Sequence, residues 1–235
     1  MTDPSQIIAD NLARVHERIA QAAISAGRAA SDVQLVAVSK YVGVTETAAL
    51  LAAGCTTLGE SRPQQLWDKS AAPELGGADW HMIGHLQRNK VRRTLPIVSL
   101  IHSVDSLRLL ESIEECAAER SHPARVLLEV NCSGETAKHG LGKDDLKKLL
   151  AELPRFEHVV VGGLMTMAAL EGGETVAARN FAALRELRDE VQPDCPPGVT
   201  LAELSMGMSH DFEIAIREGA TIVRIGSLLF EGLAQ

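Results

Sequence analysis

Lys40 closes the short apolar run Gln34-Leu35-Val36-Ala37-Val38-Ser39, which places a primary amine at the mouth of what reads as a buried parallel strand. Apolar walls disfavour the ammonium form and leave more of the free amine that attacks an aldehyde, so Lys40 is a Schiff-base candidate. The same feature also describes a lysine whose stem lies on apolar surface while its head reaches water. Towards the C-terminus, Arg224 interrupts the run Thr221-Ile222-Val223-Arg224-Ile225. A guanidinium in a strand covered on both faces needs a partner. That partner is either a buried carboxylate, Glu203 or Glu129, or an acceptor on a ligand, such as a pyridine ring nitrogen. Two small-residue segments flank the arginine in sequence, Ser205-Met206-Gly207-Met208-Ser209 and Gly226-Ser227. Small residues let backbone N–H groups approach a phosphate, although ordinary turns use the same residue types.

These groups can cooperate only if their elements converge. An opening helix is predicted from Ile7 to Ala26, with apolar residues at Ile7, Ile8, Leu12, Val15 and Ile19. Short apolar runs then alternate with amphipathic stretches at about 25 residues per unit, as βα units require. The predicted strands are Leu35 to Ser39, Thr57 to Gly59, Trp80 to Gly84, Ile97 to Ser103, Arg125 to Asn131, Val159 to Met165, Thr200 to Leu204 and Thr221 to Ile225. Predicted helices between them include Ser106 to Glu119, Lys143 to Glu152 and Glu174 to Val191, and no flexible linker divides the chain. The expected fold is α/β, a single (β/α)8 TIM-type barrel spanning residues 1–235 as one domain. An open doubly wound sheet would carry G-x-G-x-x-G after its first strand, where this chain has Tyr41-Val42-Gly43-Val44. In a barrel the strand ends share one mouth. Lysine amine, phosphate cradle and inward arginine together then describe a pocket for pyridoxal 5'-phosphate (PLP): aldehyde to Lys40, phosphate to the loops holding Ser205, Gly207, Gly226 and Ser227, ring nitrogen to Arg224.

Composition excludes some alternatives. The 235 residues carry 23 Lys and Arg against 31 Asp and Glu, a net charge of -8, with few aromatics, so no nucleic-acid partner is expected. No apolar span suits a bilayer and the N-terminus does not resemble a signal peptide, so a soluble, cytoplasmic protein without a membrane partner is expected. Cys55, Cys116, Cys132 and Cys195 are scattered and read as reduced structural thiols.

Beyond these features the chain resembles the pyridoxal phosphate homeostasis proteins over nearly its whole length. The similarity is carried by Leu35-Val36-Ala37-Val38-Ser39-Lys40, Gly59-Glu60-Ser61-Arg62, Trp80-His81-Met82-Ile83-Gly84-His85-Leu86-Gln87-Arg88-Asn89-Lys90, Lys138-His139-Gly140-Leu141, Gly163-Leu164-Met165-Thr166 and Leu204-Ser205-Met206-Gly207-Met208-Ser209-His210-Asp211. The resemblance implies a barrel like the N-terminal domain of alanine racemase (PLP fold type III), and a role in cofactor buffering and delivery to apo-enzymes that affects amino-acid and keto-acid balance. It also implies cofactor contacts from Lys40, Met165, Ser205, Met206, Gly207, Arg224, Gly226 and Ser227, and places Lys138 near the mouth. Ser61 stands where the family usually has Asn, and Ala169 where it usually has Pro; the second change is expected to loosen the loop after strand six.

The alternative reading is a small PLP-dependent racemase or lyase, and a third is a barrel without PLP. A racemase needs a second base opposite the lysine, and the only tyrosine, Tyr41, is expected to point away from its neighbour Lys40. An arginine at the ring nitrogen, with a pKa above about 12, would keep its proton and weaken the electron sink. No catalytic residue is therefore expected. No metal site is expected either, because His81 and His85 fall on a strand and its following loop. Glu111, Glu114 and Glu115 read as a solvated helix face. A monomer is expected.

Overall fold

The computed structural model describes residues 3–135 and 139–233. Eight parallel strands close a barrel in sequence order: β1 (Gln34–Val38), β2 (Thr57–Glu60), β3 (Asp79–Met82), β4 (Val98–Val104), β5 (Ala124–Glu129), β6 (Val159–Met165), β7 (Glu203–Ser205) and β8 (Ile222–Ile225), with β1 pairing back to β8. Helix α1 (Pro4–Ser25) precedes the barrel, and α2 (Val44–Ala52), α3 (Pro63–Ser70), α4 (Val91–Thr94), α5 (Leu107–Ala117), α6 (Lys143–Glu152), α7 (Gly173–Val191) and α8 (Phe212–Arg217) connect the strands. The (β/α)8 expectation holds. Its shortest strand is β7, where the expected Thr200 to Leu204 gives way to Glu203–Ser205 and the Leu201 N–H donates instead to Gln192 Oε1 at 2.7 Å, outside the sheet. Among the described residues no helix is long and apolar enough to cross a membrane.

Local sequence explains the outer layer. Asp3 caps α1 by accepting from the Ser5 N–H at 3.0 Å, Pro4 opens the first turn, and Ile8, Leu12, Val15 and Ile19 form one buried stripe. Ser106 caps α5 in the same way, and Leu109, Leu110 and Ile113 face the barrel. One predicted surface is corrected: Glu114 on α5 accepts from the backbone of Glu157 and His158 and from His158 Nδ1 at 2.8 Å, tying the helix to the entry of β6.

Strand alternation sorts the walls. Val36, Leu100, Leu127, Met165 and Ile222 pack together inside the barrel, and strand neighbours such as Leu35, Ala37, Ile101, Val126, Leu128, Leu164 and Val223 join the larger core beneath the helices. Above this apolar layer the interior is polar. His81, His102, Glu129, Ser205 and Arg224 are all buried there.

Candidate functional site

Alternation along β1 separates the two residues at its end. Ser39 faces out towards α3, where Lys69 Nζ donates to its carbonyl at 2.6 Å and lies 3.2 Å from its hydroxyl. The same ammonium pairs with Glu60 at 2.8 Å, and Glu60 in turn accepts from Ser39 Oγ at 3.1 Å and from the Ser61 N–H at 3.1 Å. Gln65, in the amide orientation its neighbours require, donates to the Lys40 carbonyl at 3.3 Å. Lys40 itself shares parity with Val36 and rises at the mouth. It is half-buried, less enclosed than the sequence implies, and its Nζ sits 4.7 Å from the centroid of the Tyr41 ring. Tyr41 therefore lies against the amine rather than pointing away, although at 84% exposure it is open to solvent.

Among the described residues Arg224 has no carboxylate in contact. Glu203 is taken by Arg125 at 2.7 Å near the foot of the barrel, and Glu129 acts on Arg224 only through its charge. Instead the guanidinium donates to Ser205 Oγ at 2.6 Å and to the Thr166 carbonyl at 2.9 Å. Ser205 Oγ lies 2.8 Å from His102 Nδ1, His102 Nε2 lies 3.0 Å from His81 Nδ1, and His81 Nε2 lies 3.6 Å from Asp79 Oδ2. One direction of donation satisfies this whole chain. Ser205 accepts from Arg224 and donates to His102, and each histidine, protonated on Nε2, donates onward to Asp79. The reverse order would aim the His81 lone pair at the Asp79 carboxylate. Burial, reinforced by the charge of Arg224, holds His102 well below the usual imidazole range and thus neutral. Burial also lowers the Arg224 pKa to about 10, below the expected value but high enough to keep the guanidinium charged at neutral pH.

The Ser205 hydroxyl is bonded to Arg224 and His102, and the side chain of Met206 is buried in the outer core. Gly207 has φ +92°, and a Cβ there would lie 2.6 Å from Ala215 Cβ and 2.9 Å from Phe212 Cα. Only glycine fits this turn. Among the described residues the amides of Gly207 and Ser209 donate no hydrogen bond, while Ser209 Oγ accepts from the Gly226 N–H at 3.2 Å and joins the two loops. Ser227 is exposed beside them and Met165 is buried in the interior wall. Free amides framed by glycine and serine next to a charged arginine suit a phosphate monoester on a nitrogen heterocycle, so the donor set fits PLP.

Ala169 also departs from expectation. Its N–H, which proline would lack, donates to Asn180 Oδ1 at 2.9 Å, and Asn180 donates to the Cys132 carbonyl at 2.9 Å, so the loop after β6 is anchored. Lys138 lies outside the described residues. His81 and His85 take separate partners, His102 inside the barrel and Asp105 at the rim. His102, Glu60 and Lys69 escaped the sequence reading; a histidine inside the apolar run of β4 and a lysine on the buried side of α3 were the available signals.

A family model for the alanine racemase N-terminal domain matches residues 10–233. The pyridoxal phosphate homeostasis protein of Aquifex aeolicus is 43% identical over 222 residues, covering 94% of this chain and 96% of its own length. The Escherichia coli K12 protein of the same name is 35% identical, covering 95% of each. The chain belongs to the pyridoxal phosphate homeostasis protein family. Among solved structures, PipY of Synechococcus elongatus PCC7942 with PLP bound superposes with TM-score 0.84 at 34% identity, covering 95% of this chain and 99% of that one. Alanine racemase of Corynebacterium glutamicum shares the fold at TM-score 0.73 and 17% identity, with 97% of this chain matching 61% of that one. The amine and the arginine sit on adjacent strands of one mouth, since Val36 of β1 pairs with Arg224 of β8.

Proposed function

We propose that this protein holds PLP on Lys40 and takes part in PLP homeostasis, releasing the cofactor to apo-enzymes. The observation that carries this reading is the convergence at one barrel mouth of an amine, two undonated loop amides and a charged arginine whose other bonds are already fixed. PLP supplies an electrophilic aldehyde and an electron-withdrawing ring. Lys40 offers the amine that joins the aldehyde carbon with loss of one water, and the Lys69 and Gln65 bonds to neighbouring carbonyls fix its backbone. The Gly207 and Ser209 amides bind the phosphate. Arg224 directs an N–H at the ring nitrogen and retains its proton at neutral pH, which restrains carbanion chemistry.

Holding rather than turnover is favoured by the environment of Lys40. Its neighbour Tyr41 is exposed and lies on the amine itself, so it does not supply a base on the opposite face of a substrate. Relatives are named homeostasis proteins, in keeping with this reading. The test is an absorbance spectrum of the purified protein, borohydride reduction and peptide mapping. The expected result is a yellow protein with the reduced adduct on Lys40 and reactivation of an apo-enzyme; an adduct on another side chain, or trapping undiminished in Lys40→Ala, refutes it. Racemase or transaminase turnover abolished by Lys40→Ala would favour the enzyme alternative.

A further inference from the structure

A second constellation stands at the same rim and has no part in the proposed cofactor site. His85 follows β3, Asp105 follows β4, and His139 lies on the return from β5 to α6. Asp105 Oδ2 is 3.3 Å from His85 Nδ1 and 3.6 Å from His139 Nδ1, and one donor atom of each residue lies within 4.8 Å of the others. The two imidazoles stack at 4.5 Å between centroids, 17° from parallel. We propose that His85, Asp105 and His139 bind one divalent transition-metal ion of the zinc class, leaving a coordination position open towards the mouth.

The distances favour that reading over a pair of surface ion pairs. A charge-assisted hydrogen bond would draw these atoms to about 2.7–2.9 Å. Zinc bonds of about 2.0–2.2 Å arranged tetrahedrally set neighbouring donors about 3.3–3.6 Å apart, the separation of Asp105 Oδ2 from each imidazole, and the two exposed, stacked rings turn on binding so that their Nδ1 lone pairs meet at one ion. An octahedral magnesium site would need closer donors, about 2.9 Å apart, and mostly oxygen. Two nitrogens and one carboxylate oxygen suit zinc, nickel or copper instead.

The positions are also held before any ion arrives. Ser106 Oγ donates to Asp105 Oδ1 at 3.2 Å. Ser103 Oγ donates to the Gly84 carbonyl at 2.6 Å, locking the end of β4 against the residue before His85. On the other side, Leu141 donates to the Glu129 carbonyl at 2.7 Å and accepts from the Asn131 N–H at 3.1 Å. Gly140, at φ +119°, permits this clamp, since a Cβ there would lie 2.7 Å from Asn131 N. An independent feature points to a cation. The Glu129 carboxylate is 4% exposed, makes no hydrogen bond among the described residues, and acts electrostatically on both Asp105 and His139. Arg224 balances part of that charge. The two histidines are 44% and 61% exposed, which leaves an open path for an ion.

The test is a zinc titration of the full-length protein, stripped by chelator dialysis, in competition with a chromophoric chelator. One equivalent should bind, and His85→Ala and His139→Ala should each weaken it by more than about tenfold, as loss of a ligand requires. Both residues are exposed, and near-UV circular dichroism checks that the variants fold. Cobalt should bind without a sulfur-to-metal charge-transfer band, which separates this site from the four cysteines. Lys40→Ala should bind zinc as tightly as the unaltered chain, so the outcome is independent of cofactor capture. Absence of stoichiometric binding, unchanged affinity in both histidine variants, or a sulfur band would overturn the proposal.

Discussion

Replacing Lys69 by Met tests how the amine-bearing strand end is held. Met conserves much of the lysine volume, so the change removes charge and donors more than packing. It strips the bond to the Ser39 carbonyl and the contact with the Ser39 hydroxyl, and leaves Glu60, 0% exposed, with the neutral donors Ser39 hydroxyl, Ser61 N–H and Gln65 amide but no cation. Breaking one side of a buried pair costs about 3–5 kcal/mol, a large share of the roughly 5–15 kcal/mol that stabilises a typical protein. Urea unfolding should therefore show a loss of that size, and the double variant Glu60→Gln/Lys69→Met should recover most of it because no bare charge remains buried. Borohydride trapping at Lys40 should slow in the single variant. A stability loss below about 1 kcal/mol together with unchanged trapping would refute the claim that this ion pair sets the end of β1.

Other consequences follow from the same geometry. His102→Leu should cost about 1–3 kcal/mol for each stranded partner, the Ser205 hydroxyl and His81 Nδ1, and nitrogen NMR of the unaltered protein should show both histidines protonated on Nε2. Because His102 is held below its ordinary value of 6.5, the unfolded chain binds a proton that the folded chain refuses, so stability should fall as pH drops below about 6.5, by at most about 1.4 kcal/mol per pH unit. Glu129 and Asp211, raised chiefly by burial, act in the opposite sense nearer their ordinary values of 4.5 and 3.8; the difference between the unaltered chain and His102→Leu in urea midpoints across pH isolates the histidine. Gly207→Ala should lower stability by about 1–3 kcal/mol through strain at φ +92° and weaken PLP retention, measured by dialysis and absorbance. Asn180→Ala should free the loops at Ala169 and Cys132, read as faster amide exchange there.

The barrel was legible in the alternation of apolar runs with amphipathic helices, and Lys40 and Arg224 because each breaks an apolar strand. What stayed hidden is pairing across distant strands. His102 sits inside the run Val98-Ser99-Leu100-Ile101-His102-Ser103, and only closure of the ring brings it to Ser205, 103 positions away. Ser205 was legible only in part for the same reason: a serine beside glycines resembles a phosphate loop, and its bonds to Arg224 and His102 appear only once the ring closes. Lys69 was invisible because a lysine on an amphipathic helix normally faces water, and its buried partner Glu60 belongs to another element. His85 and His139 are separated by 54 positions, too far for any ligand-spacing rule to connect them.

Two polar networks with no shared member hold the adjacent ends of β1 and β8 at the mouth. Outside the barrel, Lys69 and Glu60 fix Ser39, and by doing so fix the direction in which the next residue, Lys40, leaves the strand. Inside it, the series from Asp79 to Ser205 orders the donors of Arg224. Burying so many polar groups stabilises nothing unless each finds a partner, and apolar residues of similar volume would pack at lower cost. Their arrangement makes sense as support for two reactive ends of one ligand. The networks should then fail separately: Lys69→Met disturbs capture by the amine while leaving the histidine tautomers intact, and His102→Leu alters the absorbance of the bound ring while leaving trapping at Lys40 intact. A single defect produced by both substitutions would mean that the barrel mouth responds as one rigid unit, and the division of roles between its walls would have to be abandoned.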